Sequence, residues 1–244
     1  MSATWLIIGA TSPLVRAFAI EAATQGARLV LAARDTDELE TIAGDIRLRS
    51  KAEVTTLAFD AADPASTKAL ADKAAELDNL SVMVGHGIMP DETAARDNEA
   101  LALQQWEVNT LCIVRLLNRL TPKFEAQKSG SIVVIGSVAG DRGRKKNYQY
   151  GATKAGLAAF VEGLGAHLSG FGVKVVLVKP GIMDTRMTWG TKGPPLPKGT
   201  PEGLAKAMWK KAGKGGVLYY PWFWFFIMKM IQQLPVKIFN KLNF

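Results

Sequence analysis

The sequence predicts an α/β fold: one doubly wound domain, with a parallel sheet of about seven strands covered by helices on both faces. Three observations predict it. Short apolar runs rich in Val, Ile and Leu recur along the chain, as strands buried on both faces require. Stretches of helical periodicity, such as VRAFAIEAATQG and DELETIAGDIRLRS, separate them. No linker or internal repeat divides the 244 residues, of which 48% are hydrophobic, so a single core is expected.

The strands are expected at 5–10 (WLIIGA), 27–34 (ARLVLAAR), 54–60 (VTTLAFD), 80–87 (LSVMVGHG), 131–137 (SIVVIGS), 173–181 (VKVVLVKPG) and 216–221 (GVLYYP). A Pro- and Gly-rich stretch at 189–203 interrupts the alternation before the last strand and is expected to be a substrate loop. Residues 1–221 should form the main domain, and 222–244 a basic, aromatic tail.

Composition excludes several classes. Two histidines and one cysteine give no metal-ligand spacing, and no metal is expected. Cys112 lies in the apolar run LCIVRLL and reads as a core residue in a reducing compartment. No basic and apolar leader precedes the first strand, so a cytoplasmic location is expected. The net charge of +8 is uneven: residues 198–244 carry eight lysines against one acid, Glu202. Those lysines interleave with apolar residues, which suits a membrane surface and not a nucleic-acid groove.

IIGATSPLVRAFA is a strand, a tight turn and a helix start. Such a turn, here Gly9, Thr11, Ser12, Pro13 and Leu14, can hold the pyrophosphate of a dinucleotide at the positive helix end. Pro13 suits a first helical turn, but Val15 stands where a further glycine would allow closer approach. The second strand ends in AARD. A carboxylate there would accept from a ribose 2′-hydroxyl, and an arginine would pair with a 2′-phosphate. Asp35 also reads as an N-cap with Glu38 as its box partner, so Arg34 is the favoured reader, of NADP (NADPH) before NAD. Asp60, with Ala61 beside it, ends the third strand, where it either accepts from the adenine amino group or belongs to a plain loop.

YQYGATK offers two tyrosines and one lysine. At about 100° per residue, Tyr150 and Lys154 lie about 40° apart on a helix, whereas Tyr148 lies about 240° from Lys154. Tyr150 is therefore the partner. A nearby ammonium should favour the phenolate, and the pair could pass a proton to or from a carbonyl oxygen while a nicotinamide carries hydride. Ser137, at a strand end, could hold the reacting oxygen.

Ser137, YGATK thirteen residues later, and VKPGIMDTRM together resemble the short-chain dehydrogenase/reductase family over roughly residues 4–190. The resemblance implies a Rossmann-type fold and an enzyme that interconverts a ketone and an alcohol. It implies Tyr150 as acid/base, Lys154 as ribose holder and phenol activator, and Ser137 as substrate orienter. Asn109 in WEVNTL matches the family's relay asparagine, and Pro180, Gly181, Ile182 and Thr185 match its nicotinamide-side loop. Where the family usually has Asn-Ala-Gly, this chain has Gly85, His86 and Gly87; His86 either lines the cofactor groove or fills it. The family also implies a homo-oligomer. GSVAGDRGRKKNYQYGATKAGL is similar to the subgroup containing decaprenylphosphoryl 2-keto-ribose reductases, which implies a lipid-linked ketone. Two rival readings are a reductase of a soluble ketone, with the tail used in assembly, and a non-catalytic dinucleotide sensor.

Two segments remain. RGRKK (142–146) reads either as a receptor for an anionic substrate group or as a solvated loop. YYPWFWFFIMKMIQQLPVKIFNKLNF reads as a peripheral contact with an anionic membrane surface, on its inner face, or as a subunit interface or pocket cover. Its unbroken apolar run, Val217 to Met228, is too short to span a bilayer.

Overall fold

The structure, a computed structural model of the chain, describes residues 3–184 and 197–241. All seven expected strands form: β1 (Thr4–Ile8), β2 (Arg28–Ala33), β3 (Val54–Ala58), β4 (Leu80–Val84), β5 (Ser131–Ile135), β6 (Lys174–Pro180) and β7 (Gly216–Tyr220). They make one parallel sheet in the order β3-β2-β1-β4-β5-β6-β7. The order reverses between β1 and β4, and a crevice opens there at the carboxyl ends of the strands.

Alternation along each strand feeds two apolar layers. Trp5, Ile7, Leu29, Leu31, Val133 and Val176 face α1 (Pro13–Thr24), α2 (Thr36–Ser50) and one further helix, Pro201–Ala212. Leu6, Ile8, Val30, Val82, Val134 and Val175 face α3 (Pro64–Ala75) and two long helices, Cys112–Gln127 and Tyr148–Ser169. Because both faces are covered, a one-residue slip would exchange the two layers without exposing an obvious polar stripe.

Between β4 and β5 run α4 (Glu92–Asp97), α5 (Glu99–Trp106), a π turn (Glu107–Leu111) and α6 (Cys112–Gln127). After β5 come a 3₁₀ turn (Val138–Asp141) and α7 (Tyr148–Ser169); α8 (Pro201–Ala212) precedes β7. Cys112 is buried at α6, where burial pushes its thiol up to about 11, as a core residue requires.

The C-terminal segment folds as α9 (Trp224–Gln233) and α10 (Val236–Phe239). Trp224, Met228 and Ile231 recur at helical spacing and form a third apolar cluster with Phe239 and Val138. Val138 follows Ser137 directly, so this segment packs against the turn that carries the predicted site.

Candidate active site

The turn after β1 leaves a helix start open. Gly9 adopts φ +83°, and a Cβ there would lie 2.8 Å from the His86 backbone nitrogen, so only glycine fits. Pro13 begins α1, and Ser12 at its N-cap makes no side-chain cap bond. Asp35, Asp63, Asp91, Asn98 and Thr200 each cap their helices. The positive end of α1, beside Thr11, Ser12 and Leu14, is thus free to meet an anion. Val15, expected to be an obstacle, packs in the space left by Gly85: a Cβ on Gly85 would lie 2.3 Å from Val15 Cγ2. The missing glycine is compensated from the other side of the contact.

At the end of β2, Arg34 is exposed, and no ion pair engages it among the described residues. Asp35 is spent on its helix, accepting from the Glu38 N–H at 2.9 Å. One oxygen of Asp60 accepts from Ala62 N at 2.9 Å, forming a local turn around Ala61.

The second cluster lies beyond the switch point. Ser137 Oγ accepts from Ala139 N at 3.1 Å, and the Ser137 hydroxyl lies close enough to the Tyr150 phenol to favour its ionised form. Gly140 and Gly151 make this possible. A Cβ on either would meet backbone at 2.8 Å or 2.9 Å, so the 3₁₀ turn and α7 touch main chain to main chain. Lys154 lies on the same α7 face as Tyr150, its Nζ 5.9 Å from the phenol ring centre and donating to Ile135 O at 3.3 Å. Tyr148 is exposed. Helical geometry therefore selects the tyrosine as expected.

The electrostatics differ from expectation. Burial pushes the Tyr150 phenol above its ordinary value, and the Ser137 hydroxyl only partly opposes this. Lys154 itself is pushed down to about 8 by burial. Burial, not the ammonium, dominates the phenol, whose ring centre lies 5.9 Å from Lys154 Nζ.

Asn109 is fully buried in the π turn. Its Oδ1 accepts from Ile88 N at 2.8 Å, and its Nδ2 donates to Ile88 O at 2.8 Å and Thr153 Oγ1 at 3.2 Å. It clamps the segment after β4 onto α7, with Gly87 against both Asn109 and Lys154. π turns concentrate at functional sites for such reasons of placement. The His86 ring turns inward against Phe59, centroids 5.7 Å apart, with both nitrogens buried and unpartnered. Burial, then the Lys154 charge, push it down to about 4, so it is neutral and fills space; a contact with the Val108 backbone acts weakly the other way.

A buried ionic network went unnoticed in the sequence. Asp141, its side chain 1% exposed, accepts from Lys179 Nζ at 2.7 Å and from the Tyr219 hydroxyl at 2.8 Å. Burial and the adjacent carboxylate raise the Tyr219 phenol. The network ties the ends of β6 and β7 to the turn bearing Ser137. A lysine inside the apolar strand VLVKPG was the one available signal. RGRKK is also corrected in part. Arg142 donates to the carbonyls of Ile231, Gln232 and Leu234 and lies 4.6 Å over the Phe239 ring, capping α9. Arg144 donates to Val138 O at 3.1 Å. These two arginines are half-buried and fasten the C-terminal segment, while Lys145 and Lys146 are exposed.

On the nicotinamide side, Pro180 ends β6 in register with Tyr220. Gly181 lies under the Trp224 indole, and Ile182 packs on the third cluster. Thr185 and residues 189–196 of the expected substrate loop lie outside the described residues. Met183 and Gly199 bridge the two sides of that stretch.

Comparison with known proteins agrees with this architecture. The family model described as short chain dehydrogenase matches residues 3–193. An uncharacterised oxidoreductase of Mycobacterium tuberculosis is 38% identical over 200 residues, 81% of this chain and 80% of the relative. An uncharacterised oxidoreductase of Streptomyces coelicolor is 34% identical over 247 residues, 97% of this chain and 94% of the relative. Among solved structures, a short-chain dehydrogenase from Sphingobium yanoikuyae in complex with NADPH superposes with a TM-score of 0.84 at 26% identity, covering 98% of this chain and 96% of that one. With its single Rossmann-type domain and these relatives, the chain belongs to the short-chain dehydrogenase family and is an oxidoreductase.

Proposed function

We propose that this enzyme reduces a hydrophobic ketone to a secondary alcohol with NADPH, lipid-linked sugar ketones of the kind suggested by the GSVAGDRGRKKNYQYGATK segment included. The observation that carries the reading is the buried Tyr150 phenol beside Ser137, with Lys154 Nζ 5.9 Å from its ring centre, at the carboxyl edge of the sheet. Binding alone needs no such proton donor, which disfavours a dinucleotide sensor.

The residues present fit NADPH. Gly9 leaves a cradle that a Cβ would fill, α1 starts uncapped, and exposed Arg34 suits a 2′-phosphate. The Trp224 indole nitrogen, buried and unpartnered beside Gly181, is an unused donor at the nicotinamide end. When bound, NADPH supplies the hydride. Tyr150 would give its proton to the ketone oxygen, a role that suits a phenol whose raised pKa keeps it protonated near neutrality. Ser137 would orient that oxygen. Lys154, poised near 8, would stabilise the phenolate left behind and help return its proton. Asn109 is a positioning residue in this account, acting through Thr153 and the segment at Ile88. The family's habit of assembly makes a homo-oligomer the working unit proposed here.

A panel of lipid-linked and soluble ketones, followed by NADPH and NADH oxidation, tests the reading. Turnover with NADPH and a lipophilic ketone is expected. A clear preference for NADH, or no ketone turnover at all, contradicts it.

A further inference from the structure

We infer that the outward face of α9 and α10 seats on an anionic bilayer surface, so that the site receives a ketone held in that bilayer; the substrate half of this rests on the reductase reading above. α9 is apolar on both sides. Its inner residues, Trp224, Met228 and Ile231, are explained by packing on Val138. Its outer residues are not. Met230 is 71% and Phe226 60% exposed, Trp222 just before the helix is 71% exposed, and Val236 and Ile238 on α10 are exposed too. The rings of Trp222 and Phe225 both contact Phe226, so these three side chains form one apolar surface. An uncovered apolar surface of this kind marks a partner.

Charge identifies the partner. Lys229, Lys237 and Lys241 punctuate the patch, and no acid follows Glu202 in the chain. Lys229 reaches over the Phe225 ring, Nζ to centroid 5.9 Å, the arrangement of a side chain that keeps its ammonium wet while its stem lies on apolar surface. A two-fold contact between copies would bring these like charges together without a carboxylate to pair them. An anionic headgroup layer supplies the opposite sign along with an apolar phase. The segment lies on the bilayer and does not cross it: no described helix is long and apolar enough. The inner face of α9 covers Val138, next to Ser137, and Gly181. A helix is about 10 Å thick, and interfacial helices enter by about 5–10 Å, so the wall of the site stands at headgroup level.

Flotation of the full chain with phosphatidylcholine vesicles, with and without phosphatidylglycerol, tests the inference. Binding is expected to the anionic vesicles and to weaken with salt. Each lysine near an anionic leaflet contributes about fivefold, so K229Q/K237Q/K241Q should lose about a hundredfold in partition. W222S/F226S/M230S should lose at least about tenfold, because its apolar anchors are gone, while still oxidising NADPH with a water-soluble ketone. Wild-type protein that stays in solution with anionic vesicles at low salt overturns the inference. So does a W222S/F226S/M230S variant that floats like wild type. If that variant instead dissociates a wild-type oligomer in light scattering and wild type ignores vesicles, the face belongs to a second copy. Vesicle binding without turnover of any ketone keeps the membrane seat and removes the reductase reading; soluble-ketone turnover without vesicle binding does the reverse.

Discussion

At the end of β2, Arg34 is exposed and free of ion pairs among the described residues, and at the end of β1 a helix starts without a cap. Across the switch point, the ends of β5, β6 and β7 are laced together. Asp141 holds Lys179 and Tyr219, Arg142 caps α9, and Arg144 reaches Val138 O. On the first half Arg34 is unspent although Asp35 and Asp60 are used locally, whereas on the second half Asp141, Lys179 and Tyr219 are spent on one another and the Trp224 indole N–H is left as a donor. The difference separates recognition from rigidity. A charged ligand can be met only by unspent donors, whereas a proton donor must be held at a fixed distance from its target, which needs a braced wall.

The largest expected effect tests the brace. Asp141→Ala removes the buried partner of Lys179 and leaves it only the longer, exposed contact with Glu162 at 3.7 Å; breaking a buried pair costs up to about 3–5 kcal/mol. Arg34→Ala, on the open half, should change stability by less than about 0.5 kcal/mol. Thermal unfolding of both variants checks the contrast, and equal losses would erase it.

Next comes the buried cation itself. Lys154 falls from 10.5 to about 8 on burial, a cost of up to about 3 kcal/mol. The sign follows from proton counting. Between pH of about 8 and 10.5 the unfolded chain binds the extra proton, so this contribution makes stability rise with pH; the cost is fully present below about 8. Lys154→Met should therefore unfold at a higher temperature than wild type at pH 7, with an advantage that shrinks towards pH 10.5, although turnover falls.

On the open half, Arg34→Ala should raise the KM for NADPH by about 10- to 100-fold, since a charge-assisted contact is lost, and leave that for NADH little changed. Equal effects on both cofactors would remove Arg34 as the 2′-phosphate reader. The smallest effect is a packing exchange. Gly85→Ala should cost about 1–3 kcal/mol by overpacking Val15, and Val15→Ala in the same chain should recover most of it. A denaturation double-mutant cycle with no coupling would show that the two residues do not share the space.

Much of this was legible in the sequence where the relevant spacing is short. The central strands declare themselves because both their faces are buried and their runs are largely apolar, whereas the edge strands β3 and β7 are partly exposed. Tyr150 and Lys154 meet within one helical turn, and Asp35 caps the helix that follows it. What was not legible depends on strand order and depth. Asp141 meets residues 38 and 78 positions away because β5, β6 and β7 end side by side. Val15 and Gly85 meet because β1 and β4 are neighbours across the switch point. RGRKK looked like a free charge run until α9 arrived to be capped by it. The raised phenol of Tyr150 follows from burial, which the spacing of two residues does not encode.

The central claim is that the Tyr150 phenol, held by Ser137 and Lys154 on the braced half, is the proton donor. Single-turnover measurement of NADPH oxidation by Tyr150→Phe and Tyr148→Phe, with NADPH affinity measured in parallel, tests it most directly. Loss of the general acid should slow Tyr150→Phe by about 10²- to 10⁴-fold with NADPH affinity nearly unchanged, and Tyr148→Phe should stay close to wild type. Comparable rates in the two variants, or a Tyr150→Phe enzyme that turns over normally, would contradict the account.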